Sequence, residues 1–566
     1  MVFSNRLIRR GFLASTMAMG FLLAAPAHLL TQTQAQQDSD SQVANDEPVL
    51  VVTLGSVNKL TQDINYVTGM AGQAQAGGMF GLLMGTFTQG LDTTRPIGIL
   101  VPMVDGMPQP IALLPTNDVK TVLKRLEAQT GPYDEEDDGT LRIIVGASVV
   151  HIQQKGEWAV MGTAKEVLKL APADPSDLFE GMGNKYDIAV RMKMQQIPAA
   201  TREMLTTQLK MGFQQAMATQ NGPDADASRQ VAENSIEQLE QLVRDTDELQ
   251  FGFNIDQAKQ KIVIDGSYTA VPGSKLATMY DGIHAIPSKF ASVIRDDAAA
   301  FYHAASSISP EAIEDTRTSL KASTGALRTA LDSQGGLTES QREDINSLVD
   351  RIIELAVKSL AEGRTDIGAL LLADEEDFKF VFGAFVADGN EVASIAKDLA
   401  AKVENEPNAP QFKFDVSTYK GVKMHLVEAD LPESENEARR VFGEKLRVHI
   451  GTGAKSVYLA IGNGSDELMK ELIDSGDKDT TADRPVGQLR LTMMPILTYA
   501  QSVESNESIA AMIDALARSP DGGELNMVAE SIGNGQKFSF EMGEGVLQAI
   551  GAAVQQTQQA LQGAQF

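Results

Sequence analysis

The chain has 566 residues, 43% hydrophobic and 22% charged, which suits a globular protein with room for about three to four average domains. A formal net charge of -28 works against nucleic acid and anionic lipid as partners, because both are bound by Lys and Arg that displace counterions. The absence of cysteine excludes disulfides, iron–sulfur clusters and a lipid-modified cysteine, and with only 5% aromatic residues the core must rest on Leu, Ile, Val, Met and Ala.

Residues 1–35 read as an export signal. Arg9-Arg10-Gly11-Phe12-Leu13 has a twin-arginine look, an apolar run extends from about Gly11 to Ala25, and Thr33 and Ala35 suit cleavage. Ordinary secretion and a retained N-terminal anchor are the alternatives, the run being short for a membrane span. The leader carries three Arg and no acid, so the mature chain would be more acidic still. A polar linker follows over 36–47. These features predict an exported protein, periplasmic or secreted, with no transmembrane span in its mature part.

Beyond the linker the same order of blocks occurs twice. "RPIGILV" (95–101) returns as "TDIGALL" (365–371), "VVHIQQKGEWAVMGTAKEVLKL" (149–170) as "RVHIGTGAKSVYLAIGNGSDELMKEL" (447–472), and "YDIAVRMKM" (186–194) as "VGQLRLTMM" (486–494). The pattern predicts a first unit over 48–285, a second over 286–555, a join near Ile283–Lys289 and a Gln-rich tail over 556–566. Alternating strands at Leu249–Ile255 and Lys261–Thr269, with helices at Asp118–Gln129 behind an Asn117 cap and at Ser235–Val243, make each unit α+β. Successive hairpin strands imply an antiparallel or mixed sheet with helices packed mainly on one face. This layout resembles uncharacterised exported bacterial proteins built from two duplicated α+β units. The resemblance implies no activity and no site residues.

One stretch of the first unit stands apart. "GGMFGLLMGTFTQG" (77–90) is apolar, glycine-rich and uncharged. Its apolar core, about nine residues from Met79 to Phe87, is far short of the roughly 20 that cross a bilayer. The repeat aligns it with "VDRIIELAVKSLA" (349–361), an amphipathic helix whose wet face carries Asp350, Arg351, Glu354 and Lys358; the matching positions are Phe80, Gly81, Met84 and Thr88. A helix apolar all round is expected to be covered: by the rest of the chain, by an apolar ligand beneath it as a lid, or by a partner or membrane surface. The glycines lower helix propensity by up to about 1 kcal/mol each, which suits a segment that opens. Met79, Phe80, Leu83, Met84 and Phe87 are therefore the candidate contact residues.

Patterns for chemistry are weak. Ser56-Val57-Asn58-Lys59 has serine–lysine spacing, but the companion KTG is absent. Asp134, Glu136, Asp138 and Gly139 have the start of a calcium-loop spacing, with Val145 where Glu is required, so a solvated acidic turn is the plainer expectation. His151 and His449 sit at matching strand positions, while His303, His284 and His425 have no matching His; no pair has metal-ligand spacing. Arg191 and Arg490 match on their strands and read as sheet-surface residues rather than an anion grip. "GTGAKS" (451–456) reads as a hairpin turn, not a phosphate loop. Neither a catalytic residue, a metal nor a cofactor is indicated. Three readings follow: an exported noncatalytic binding or interaction protein of the envelope, with its contact surface around 69–91; a carrier of an apolar ligand or lipid with 69–91 as lid; or an enzyme without a recognisable motif.

Overall fold

The computed structural model describes residues 47–218, 236, 239–318, 320, 339–404, 409–476 and 483–563. The expected export signal at 1–35, the expected linker up to residue 46, part of the helix expected at 235–243 and the last three residues of the expected tail lie outside them.

Among the described residues, apart from the small hairpin of Met103–Val104 with Met107–Pro108, ten strands precede residue 285: β1 (Leu50–Leu54), β2 (Ile97–Val101), β3 (Ile111–Pro115), β4 (Asp134–Glu135), β5 (Leu141–Val145), β6 (Ser148–Lys155), β7 (Trp158–Gly162), β8 (Ile188–Lys193), β9 (Thr246–Asp256) and β10 (Lys261–Ala270). Ten more follow: β11 (Ala300–Ser307), β12 (Arg364–Ala373), β13 (Phe378–Phe385), β14 (Gln411–Tyr419), β15 (Val422–Asp430), β16 (Lys445–Gly453), β17 (Ser456–Gly462), β18 (Gly487–Thr492), β19 (Glu524–Ser531) and β20 (Gly535–Gly543). Among the helices are α1 (Val57–Met70), α2 (Ala74–Phe87), α3 (Val119–Arg125), α4 (Glu339–Ala361), α5 (Gly389–Val403), α6 (Ser465–Ser475), α7 (Glu507–Leu516) and α8 (Glu544–Gly563). The chain is thus α+β.

All twenty strands join one sheet, and every pairing between them is antiparallel. From one edge the order is β4-β5-β6-β7-β3-β2-β1-β8-β9-β10, and β10 then pairs with β20. Beyond that seam it runs β20-β19-β18-β11-β12-β13-β17-β16-β15-β14. The order therefore reads the same from either edge.

Alternation along the strands sends side chains to two faces. On the front, Val51, Leu100, Ile111, Leu113 and Val160 form a core with Phe179 and Met182 from the segment after β7. Also on the front, Phe301, Leu370, Val381 and Ala460 pack with Phe290, Val293 and the α6 residues Leu468, Met469 and Leu472. On the back, α3 lays Val119 and Leu123 on Leu141, Ile143, Ile152 and Ala159. Helices thus cover both faces, where the hairpin pattern suggested mainly one; apolar residues at both parities of the flanking strands require it. Strand glycines admit aromatic rings on the front. A Cβ at Gly98 would lie 2.1 Å from Phe179, and at Gly368 and Gly383 it would meet Phe290.

Locally, α3 starts one residue later than its expected cap: Asp118, not Asn117, accepts from Thr121 N over 3.1 Å. Within 451–456, Ala454 and Lys455 make the tight turn of the hairpin expected there, between β16 and β17.

Candidate functional site

Ser56 caps α1, its Oγ accepting from Lys59 N over 3.2 Å. Lys59 Nζ lies 2.7 Å from Asp63 Oδ2, 2.5 Å from Asp187 Oδ1 and 3.0 Å from Asn254 Oδ1. Gln257 donates to Asp63 Oδ1 and Ile255 N to Asp187 Oδ2. Both carboxylates are buried. Burial pushes the Asp187 carboxyl up against the pull of Lys59. Burial also works to lower the Lys59 ammonium, but its hydrogen bonds to Asp187 and Asp63 leave it raised. The serine–lysine spacing is thus a helix cap next to an ion cluster, which anchors the root of α1 to the ends of β8 and β9. The far end of α1 is also held: Tyr66 Oη donates to Glu544 Oε2 of α8 over 2.6 Å.

This anchored helix carries α2. A Cβ on Gly77 would stand 2.4 Å from Thr68 Oγ1 and 3.1 Å from Asn65 Cα, and one on Gly81 3.5 Å from Thr61 Cγ2. Gly77 and Gly81 are therefore the close-approach face toward α1, with Phe80 and Met84 half-buried beside them and Thr88 buried. The large residues on the other side are exposed: Met79 at 67%, Leu82 at 73%, Leu83 at 52% and Phe87 at 49%. Of the three covers weighed for α2, its own chain supplies one on the α1 side alone. Two of the glycines, Gly77 and Gly81, serve packing against α1.

The helix that the sequence repeat aligns with α2, α4, faces its surroundings differently. There Arg351 grips Glu391 of α5 over 2.8 Å and Ser394 over 2.9 Å, Leu355 is buried, and Asp350, Glu354 and Lys358 are exposed. In α2 the positions matched to that wet face, Phe80, Gly81, Met84 and Thr88, turn toward α1 instead. Of the five candidate contact residues, Met79, Leu83 and Phe87 are exposed and Phe80 and Met84 are not. Leu82, the most exposed of all, was missed; reading Gly77 and Gly81 as a contact stripe would have placed it opposite them. A cavity of about 300 Å³ near the α1 tip is lined by Met70, Gly72, Arg518, Gln548 and Gln555, and by none of the five.

Most of the remaining candidates have local partners. Lys165 Nζ sits 2.6 Å from Glu136 and 2.7 Å from Asp138, where a cation would be held, and its hydrogen bond lowers Asp138 to about 2. Arg142 pairs with Asp134. His151 lies opposite Gly162 and His449 opposite Ala460. His425 accepts from Asp415 N and meets Thr452 Oγ1, and burial lowers its pKa. His284 Nδ1 is 2.8 Å from Ser307 Oγ, and His303 is buried on β11. Arg191 and Arg490 each donate to a backbone carbonyl, of Leu178 and Arg295. Among the described residues no group of three or more His, Asp or Glu is placed to hold a metal ion, and no helix is long and apolar enough to cross a membrane.

No family model matches the chain, and no curated protein matches it. Among solved structures, crystal form IV of TP0453 is similar at a TM-score of 0.22 and 7% identity, over 39% of this chain and 76% of that one. A likeness at that level carries no argument.

Proposed function

We propose that this is a noncatalytic binding protein exported to the cell envelope, which docks an apolar surface of an envelope protein on the outer side of α2. The observation that carries the reading is the exposure of Met79, Leu82, Leu83 and Phe87 on a segment, 69–91, without one charged residue in a chain of net charge -28. Each such side chain gains roughly 1.5–3 kcal/mol on full burial, so the patch favours a cover. Anchors at both ends of α1 hold it in place, as a contact surface requires. We also propose that residues 48–285 and 286–555 are tandem homologous units. The mirrored strand order and the matching positions of His151 and His449 support this.

A photo-crosslinking residue at Leu82 or Leu83 in the intact envelope tests the docking. The reading expects a discrete crosslinked polypeptide, absent when the residue is placed at Gln62 on α1. Flotation of the protein with neutral phosphatidylcholine vesicles, without such a crosslink, would replace a protein partner with a lipid surface.

Carriage of an apolar ligand is a second reading, favoured by a different observation. On the back face Ile188, Phe253, Ile264, Phe540, Met527 and Leu489 stand directly opposite one another across six neighbouring strands. Ile188, Met527 and Leu489 are exposed. Native mass spectrometry of envelope-derived protein would show a bound lipid on this reading; repeated ligand-free spectra would end it.

A further inference from the structure

The front face, apolar at its flanks, changes character at the seam. Direct cross-strand partners there form three rows across β9, β10, β20 and β19. One row is Gln250, Ser267, Lys537 and Glu530; the next is Gly252, Asp265, Ser539 and Val528; the third is Asn254, Val263, Glu541 and Asn526. The flanking cores stop short of these strands, leaving a cavity of about 510 Å³ over them. Its shape follows from one ring. Tyr186 packs over Gly252, where a Cβ would come within 2.4 Å of it, and fills that end; over Val528, three strands away, the groove stays open.

Every charge along this groove has an opposite partner. Lys185 lies 2.8 Å from Asp265, Lys537 2.5 Å from Glu530, and Lys261, just beyond the rim, 3.0 Å from Glu541. An ionic ligand would have to break one of these pairs. What stays unpaired is neutral: among the described residues the side chains of Gln250 and Ser267 have no hydrogen-bond partner, and Asn526 Oδ1 is buried beside the groove without one. Two amides and a hydroxyl offer donors and acceptors together. A ligand that answers both, without net charge, is a polyhydroxylated one. The volume lies within the roughly 300–1,000 Å³ of small-molecule sites.

From this we propose that the groove at the β10–β20 seam binds a neutral saccharide, held by Gln250, Ser267 and Asn526. The site is separate from α2 and does not rest on the docking reading. Saturation-transfer NMR on the full chain tests it, with glucose, galactose, mannose, N-acetylglucosamine and their β-1,4-linked disaccharides as probes, and glucosamine and glucuronate as charged controls. At least one neutral probe is expected to bind. Its Kd should rise about tenfold or more in Gln250→Leu/Asn526→Leu, and by less in Ser267→Ala, while Leu82→Asp leaves it unchanged. Thermal melting of each variant separates a lost site from a lost fold, with Ser267→Ala the milder change should the double variant unfold. Binding of the charged controls alone, binding indifferent to the Gln250 and Asn526 changes, or no binding of any neutral probe would each overturn the proposal.

Discussion

Ser539 donates its hydroxyl hydrogen to Asp265 Oδ1 over 2.8 Å, joining residues 274 positions apart that face each other at the seam of the sheet. The other oxygen of Asp265 accepts from Tyr186 Oη at 2.7 Å and from Lys185 Nζ at 2.8 Å. Burial works to raise this carboxyl, but the donors win and hold it below the usual carboxylate range. A depressed folded pKa gives stability that is present above the unfolded value of 3.8 and lost as pH falls through the folded one. Tyr186→Phe keeps the ring over Gly252 and removes one donor. It should cost about 1 kcal/mol at neutral pH and move the Asp265 pKa upward. Ser539→Ala should act the same way. Urea unfolding at neutral and acid pH, with carboxyl NMR shifts for Asp265, measures both effects; an unmoved pKa in Tyr186→Phe would show that its hydroxyl is not the controlling donor.

The Lys59 cluster calls for the opposite sign. Asp187 is raised, so its contribution to stability is fully present below the unfolded value of 3.8 and declines as pH rises through the folded value. Lys59→Met leaves Asp63 and Asp187 buried together without their cation. Breaking a buried pair from one side costs about 3–5 kcal/mol, and the lower end applies here because the Lys59 side chain is 32% exposed. The loss should shrink in acid, and adding Asp187→Asn should restore part of it at neutral pH. Denaturant unfolding of the single and double variants across pH checks this. A loss independent of pH would show that Lys59 acts through packing alone.

Strand and hairpin positions were legible because period-two alternation is local: Leu249–Ile255 and Lys261–Thr269 fall within β9 and β10. The helical character of 79–87 was equally plain, but not which side faces out. That depends on Thr68 and Asn65, on another helix, pressing against Gly77. Nor could the central groove be found. Its residues come from β9, β10, β19 and β20, each an ordinary polar position on its own strand, and only the pairing of β10 with β20 brings Ser267 beside Lys537. The Asp63–Asp187 contact through Lys59 was hidden for the same reason, since Asp187 reaches α1 from the start of a strand over a hundred positions away.

The glycines of α2 separate into two kinds, and substitution should tell them apart. Gly77→Val places methyl groups where Thr68 and the Asn65 backbone already stand, and overpacking of this kind costs about 1–3 kcal/mol. Gly78 and Gly85 have nothing within 4 Å of an added Cβ, so Gly78→Ala and Gly85→Ala should stabilise the helix, by up to about 1 kcal/mol each. Urea midpoints of the three variants decide the matter. A stabilised Gly77→Val would mean that α2 does not lie against α1.

The two sides of α2 should answer differently to charge. Leu82→Asp and Leu83→Asp put carboxylates where the side chains already meet water, so stability should change by no more than about 0.5 kcal/mol. Phe80→Asp and Met84→Glu instead push a charge into the half-buried side that packs toward α1. These should destabilise by about 1–3 kcal/mol, with the α1–α2 pair loosening before the sheet. Thermal unfolding gives the first comparison and hydrogen exchange of the α2 amides the second. If Leu82→Asp proved as damaging as Phe80→Asp, the outer side of the helix would be buried in solution, and a standing contact already formed there, such as self-association, would have to account for it. Sedimentation of the unmodified chain would then reveal that species directly. If only the inner pair destabilises, the outer side is free, and its four large apolar residues are available to a partner without any rearrangement of α1.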